Sequence, residues 1–233
     1  ETIHLFKPRI AVVLNLMKNH LDRYPSEDDY YNAKKMIAMN MNKTDHLLLN
    51  GKDKRFTEWE SELAKKTNVS FYDNEQENGL AVWHSEGNLF ARKDGKRRKI
   101  MGFDQLRIRG SHNFSNICAA TMIALFCGID DEDIREGLIT FNGLSHRLEF
   151  VDIIEGVSFY NDSKATTAES IAAAVSAFDS PVHLIAGGRD KGCDFKKISN
   201  IIEKKVSSVC LIGEASDRIQ KEWDGKVAII KSK

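Results

Sequence analysis

The chain has 233 residues, 42% of them apolar, and its 34 Lys and Arg are matched by 34 Asp and Glu. That length holds one large or two modest domains, and two are expected. The charge balance excludes the global field that would mark nucleic acid or an anionic membrane as partner. No apolar run reaches the roughly 18 residues that span a bilayer, and the opening ETIHLFKPRIAVVLNL lacks the charged start and cleavage site of a secretory leader. Cys118, Cys127, Cys193 and Cys210 have no metal-type spacing and are expected as reduced thiols of a cytoplasmic protein.

The apolar run from Arg9 to Leu16 has strand length, and after a polar turn around Asn19 to Ser26 the stretch EDDYYNAKKMIAMNM predicts a helix. A strand at Asp45 to Asn50, a helix at Thr57 to Lys66 and a strand at Val69 to Tyr72 continue the alternation, which favours a mostly parallel sheet with helices on its faces. Between Gly79 and Met101 the segments LAVWH, NLFARK and RRKIM are separated by Ser85-Glu86-Gly87 and Asp94-Gly95, predicting a small antiparallel meander. A helix from Ser111 to Phe126, with Ile117, Ala120, Thr121, Ala124 and Leu125 on its buried face, stops at Gly128. A second helix starts near Asp130 with Ile134, Leu138 and Phe141 as its buried stripe and ends at Asn142-Gly143, the expected domain boundary and hinge.

Beyond it, strands are predicted at Leu148 to Ile154 and Val157 to Tyr160, then a helix opened by a capping box at Thr166 and Glu169. The strand VHLIAGG, a helix from Phe195 to Glu203, the strand VSSVCLIG, a helix from Ala215 to Trp223 and the strand VAII complete a βαβ series. The fold class is therefore α/β. Residues 1–143 are expected to form an incomplete central mixed-sheet domain of ATPase type with its antiparallel meander, and residues 144–233 a Rossmann-like domain.

Polar clusters sit where ligands bind in such folds. Asn19-His20-Leu21-Asp22-Arg23 follows the first strand at the carboxyl edge of the sheet, where a His beside an Asp and an Arg suits a metal or phosphate. An ion-paired surface turn serves the local sequence as well. Asn161-Asp162-Ser163-Lys164-Ala165-Thr166 lies between a strand and a helix N-terminus, whose unpaired N–H groups favour anions; capping by Thr166 is the plain alternative. Gly187-Gly188-Arg189-Asp190-Lys191-Gly192 is a strand-to-helix turn whose glycines let backbone approach a ligand, but it is not a Walker A loop. Asn113 and Asn116 open a helix, and Arg147 stands at the domain junction.

In order, NHLDR, YYNAK, GSHNFSN, FNGLSHRLE, YNDSKATT and GGRDKG resemble the Mur ligase family along essentially the whole chain. NHLDR and HNxxN are superfamily elements, whereas NDSKAT with HRxE resembles the branch that adds D-glutamate. The resemblance implies an ATP- and Mg2+-dependent ligase acting on UDP-N-acetylmuramoyl-L-alanine and D-glutamate through an acyl phosphate. It implies His20 as a magnesium ligand and Lys34 as a carbamylated bridge beside the metal, with Lys35 as the other candidate. Asn113, Asn116, Arg147 and Asp162 are implied as ATP contacts. Ser163, Lys164, Thr166 and Lys191 are implied on the D-glutamate and acyl-phosphate side, with His20, Lys34, Lys164 and Lys191 as catalytic groups. A monomer is expected, with neither nucleic acid nor membrane as partner.

Asn19 replaces the Asp usual before the histidine. The GTNGKT-type phosphate loop, the UDP-binding front domain and an SPA-type segment after Lys233 are not in the sequence, so the chain alone is expected to be inactive. Another Mur-type or folylpolyglutamate-type ligase, or a non-catalytic nucleotide-binding fragment, remains open at this point.

Overall fold

The computed structural model describes residues 3–16, 23–190 and 192–231. The chain divides into two compact units, Glu1–Leu106 with Asn113–Thr140 and Arg107–His112 with Phe141–Lys233.

The first unit is built on a parallel three-stranded sheet of β1 (Ile10–Val13), β2 (His46–Asn50) and β3 (Asn68–Tyr72), in that order. Its register pairs Val13 with Leu49 and Asn50 with Tyr72, which aligns the carboxyl ends of the strands. α1 (Glu27–Lys35) starts where Ser26 accepts a 3.1 Å hydrogen bond from the Asp29 amide. Three acidic residues in its first turn and two lysines in its last match the helix dipole. The expected long helix breaks at Lys35 into a 3-10 turn, Met36–Ala38, so the buried Ala38 and Met41 lie beyond the α-helical part. α2 (Arg55–Leu63) presents Phe56, Trp59 and Leu63, spaced three and four apart, to Ala11, Leu47 and Leu49 of the sheet. Full burial of each large side chain contributes about 1.5 to 3 kcal/mol, so this seam holds the helix to the sheet.

The meander is present as antiparallel β4 (Ala81–Ser85), β5 (Asn88–Lys93) and β6 (Lys96–Gly102). Its turns carry positive φ at Glu86-Gly87 and Asp94-Gly95, the conformation a tight hairpin requires. α3 (His112–Phe126) ends before Gly128, whose φ is 81°. Ala120, expected inside, is exposed; the buried face is Ile117, Cys118, Ala119, Thr121, Met122 and Leu125. α4 (Asp131–Thr140) is capped by Asp130, whose Oδ1 accepts from the Glu132 and Asp133 amides at 3.0 Å. Phe141 falls past its end and is 45% exposed, so only Ile134 of the expected stripe is fully buried.

In the second unit β7 (Glu149–Ile154) and β8 (Val157–Asn161) form a hairpin across Glu155-Gly156, both at positive φ. α5 (Ala168–Ser176) is capped by Thr167, whose Oγ1 accepts from the Ser170 amide at 3.2 Å. The cap is thus one residue later than the expected Thr166, which leaves Thr166 exposed in the preceding loop. β9 (Val182–Gly187), β10 (Val206–Ile212) and β11 (Ala228–Lys231) make a parallel sheet with β10 central. Phe195 begins a 3-10 turn rather than an α-helix; α6 (Ser199–Lys205) follows it, and α7 (Ser216–Trp223) precedes β11. Val209, Leu211, Ile202, Ile219 and the fully buried Trp223 form the core, and the Trp223 indole N–H donates to the Phe195 carbonyl at 3.1 Å. Among the described residues no helix is long and apolar enough to cross a membrane.

Candidate functional site

On the first unit the polar residues gather at the carboxyl edge of β1–β2–β3, where side chains project beyond the strands and ligands bind in open α/β sheets. Asn50 is the last residue of β2. Its Nδ2 donates to the Leu14 carbonyl at 3.0 Å and to the Ser115 hydroxyl at 3.1 Å, tying the first turn of α3 to the ends of β1 and β2. The buried Tyr72 hydroxyl donates to the Leu14 carbonyl at 2.9 Å, and burial pushes its pKa up, so it stays a neutral donor. On that turn of α3, Asn116 Nδ2 donates to Asn113 Oδ1 at 3.3 Å, so the two expected ATP contacts share one face. Asn50 is a position the sequence reading passed over: Asn50-Gly51 signalled a turn, and an amide at a strand's carboxyl end was the available clue.

Lys34 lies in the last turn of α1 and lines a cleft of about 510 Å³ with Leu14, Asn15, Ala33 and Ile37, its Nζ 4.9 Å from the Tyr30 ring centroid. Lys35, the other candidate, is engaged elsewhere, with Nζ 2.6 Å from Glu62 Oε2. His20, with the rest of Asn19-His20-Leu21-Asp22, lies outside the described residues, as does Lys191. Among the described residues no three His, Cys, Asp or Glu side chains cluster in a way that could hold a metal ion. Cys118 is buried in α3 with Sγ 3.9 Å from Asp73 Oδ1; burial first and Asp73 second push its thiol pKa up, which makes it an inert interior group.

On the second unit the HRLE and NDSK segments are laced together. The Leu148 amide donates to Asp162 Oδ1 at 2.9 Å, the Lys164 amide to the His146 carbonyl at 3.1 Å, and Asn161 Nδ2 pairs with His146 Nδ1 at 2.8 Å. The His146 amide in turn donates to Glu149 Oε2 at 2.8 Å. These bonds hold His146 and Leu148 at φ 66° and 46°, a left-handed turn that side chains adopt only when their surroundings impose it. The lacing ties Leu148, the residue after Arg147, to Asp162, and Ser163 and Lys164 stand on an exposed turn before α5. Within the same unit, burial lowers the His112 pKa while the Asp162 carboxylate opposes the shift. Cys193 Sγ donates to the Thr166 carbonyl at 3.7 Å, which brings the end of the GGRDKG turn beside the NDSKAT loop. The described ones among the expected site residues therefore fall in two groups, one on each unit.

Both halves of the chain match known family models: residues 1–124 the Mur ligase middle domain, and residues 146–232 the Mur ligase glutamate ligase domain. A UDP-N-acetylmuramoylalanine–D-glutamate ligase of Caldicellulosiruptor bescii is 36% identical over 96% of this chain and 49% of its own length. Among solved structures, MurF from Acinetobacter baumannii superposes with a TM-score of 0.75 at 20% identity, over 97% of this chain and 51% of that one. MurF ligase from Thermotoga maritima in complex with ADP superposes with a TM-score of 0.67 at 17% identity, over 97% of this chain and 53% of that one. The chain thus spans about half the length of the relatives it matches. With one family model covering more than half of its residues and a second covering most of the rest, the chain belongs to the Mur ligase family.

Proposed function

We propose that this chain is the nucleotide-handling and amino-acid-binding part of a cytoplasmic ligase that joins D-glutamate to UDP-N-acetylmuramoyl-L-alanine in peptidoglycan precursor synthesis. The observation that carries the reading is the lacing of HRLE to NDSK through Leu148, Asp162, His146 and Lys164. It makes one surface out of the two motifs that resemble the D-glutamate-adding branch. The activity in the name of the 36% identical relative agrees with it.

In the reaction, a substrate carboxylate oxygen attacks the γ-phosphorus of ATP and ADP leaves. The D-glutamate nitrogen then attacks the acyl carbon, loses its proton, and inorganic phosphate leaves as the amide forms. Charge develops on phosphoryl oxygens in the first step and on the acyl oxygen in the second, and both need preorganised cationic donors. Asn113 and Asn116 offer amide groups to the nucleotide, and Arg147 a planar fork suited to phosphate. The Asp162 carboxylate, with one oxygen occupied by the Leu148 amide, keeps a second for a ribose hydroxyl or ammonium donor. Ser163, Lys164, Thr166 and Lys191 would bind the D-glutamate carboxylates and the acyl phosphate. Magnesium, with His20 and carbamylated Lys34 as its protein ligands, would neutralise the triphosphate. The cleft beside Lys34 and the engagement of Lys35 by Glu62 favour Lys34 for that role.

The test is phosphate release by the full-length product of this gene, given ATP, Mg2+, UDP-N-acetylmuramoyl-L-alanine and a panel of amino acids. D-glutamate is expected to be the preferred acceptor. Preference for L-lysine, diaminopimelate or a glutamylated folate as co-substrate would overturn the reading.

A further inference from the structure

The GGRDKG turn is gripped from a helix that the reading above leaves without a role. Its start is fixed by backbone alone: the Gly188 amide donates to the Ile212 carbonyl at 2.8 Å, and the Ala215 amide donates to the Gly188 carbonyl at 2.9 Å. At its centre Asp190 turns its carboxylate back on the loop, with Oδ1 accepting from the Gly192 amide at 2.8 Å. Arg218 of α7 then reaches across, and its Nη1 lies 2.8 Å from Asp190 Oδ1 and 3.0 Å from Oδ2. The same guanidinium donates through Nε to Glu222 Oε1 at 3.3 Å and lies 5.5 Å from the centroid of the buried Phe195 ring.

A loosely held surface pair would have neither the second carboxylate nor the aromatic platform. Here the guanidinium plane is set by Glu222 and Phe195 before Asp190 is counted, and the helix carrying it is anchored by the fully buried Ile219 and Trp223. Arg218 and Asp190 side chains are only 32% and 26% exposed, so the pair is partly withdrawn from water. Only a planar, multidentate cation can serve two carboxylates and a ring face together, which a lysine cannot.

We propose that Arg218 is a positioning residue for amino-acid binding: through Asp190 it holds the backbone of the GGRDKG turn at Asp190 and Gly192. The proposal rests on the assignment of that turn to the amino-acid side of the reaction. Arg218 itself touches no reacting atom. A small error in where the turn holds its residues costs affinity for the substrate bound there, with little effect on a substrate bound elsewhere.

The experiment uses the full-length ligase and compares R218M, R218K and D190N. R218M and D190N are expected to raise KM for D-glutamate by about 10-fold, with KM for ATP and the melting temperature little changed. The double variant should be no worse than either single one, because one interaction is lost in each. R218K should recover part of the loss. An unchanged KM for D-glutamate in R218M, or an equal rise in every KM together with a lower melting temperature, would overturn the proposal. If the parent enzyme prefers another amino acid, the substrate reading fails alone and the same comparison is made with that acceptor. Amide hydrogen exchange supplies a readout independent of turnover: R218M should accelerate exchange at Gly192, and unchanged exchange there overturns the clamp.

Discussion

Gly187 stands so close to Ile212 that a β-carbon on it would lie 1.8 Å from the Ile212 carbonyl oxygen. Its φ of 141° is also one that side-chain-bearing residues rarely adopt. The two parallel strands β9 and β10 can therefore end in adjacent loops only if position 187 has no side chain. Gly156, in the β7–β8 turn, has a positive φ of 80° but open space around it. G187A is expected to destabilise the second unit by about 3 kcal/mol or more, and G156A by only about 1 kcal/mol. Urea unfolding with peptide-level hydrogen exchange checks both, and equal effects would show that strain, not the close approach, sets the cost.

Trp223 tests the core of the same unit. It is fully buried, its ring is edge-on to Phe195 at 6.0 Å, and its indole N–H serves the Phe195 carbonyl. W223F keeps an aromatic ring but leaves that carbonyl without its donor and gives up part of the indole's volume, an expected loss of about 1 to 3 kcal/mol. W223A adds a cavity and is expected to cost about 3 to 5 kcal/mol. In both variants faster hydrogen exchange should appear in β9, β10 and α6 before it appears in β1–β3; simultaneous loss in both units would contradict the separate cores.

How much of this was legible in sequence depended on whether the signal was local. The βα alternation, the meander turns at Glu86-Gly87 and Asp94-Gly95, and the end of α3 before Gly128 follow from periodicity and turn chemistry that a short window contains. Ala120 was misplaced because a small residue at helical spacing looks the same on either face; packing by Cys118 and Met122 decides the rotation. The cap of α5 was misassigned by one residue because Thr166 and Thr167 are chemically identical candidates and only backbone geometry separates them. The motif string gave the candidate residues, but the bonds joining His146 to Asn161 and Lys164, Asp190 to Arg218, and Asn50 to Ser115 link distant parts of the chain. No spacing rule announces such bonds.

His112 gives a pH prediction whose sign follows from its surroundings. Burial lowers its pKa from the ordinary 6.5, and Asp162 raises it by a lesser amount. The folded chain thus resists a proton that the unfolded chain accepts near pH 6.5. Stability from this group is full above about pH 6.5, falls as pH drops below that value, and levels off beneath the folded-state pKa. NMR titration should find His112 below 6.5, and D162N should lower it further by removing the carboxylate that opposes burial. A value at or above 6.5, or a rise in D162N, would contradict the assigned causes.

Lys34 and Lys35 are adjacent in sequence yet differ in setting, and that difference predicts which one the reaction uses. Lys34 lines the cleft at the carboxyl edge of β1, with its ammonium 4.9 Å from the Tyr30 ring centroid. Carbamylation joins dissolved carbon dioxide to a lysine nitrogen, which must be open to the cleft. Lys35 Nζ lies 2.6 Å from Glu62 Oε2, which engages its nitrogen away from that cleft. In the full-length ligase K34M is expected to lower kcat by about 100-fold or more, whereas K35M should stay within about 3-fold of the parent. Mass spectrometry under bicarbonate, with gentle ionisation, should find a 44 Da addition that K34M loses and K35M retains; the reverse pattern would move the bridging role to Lys35.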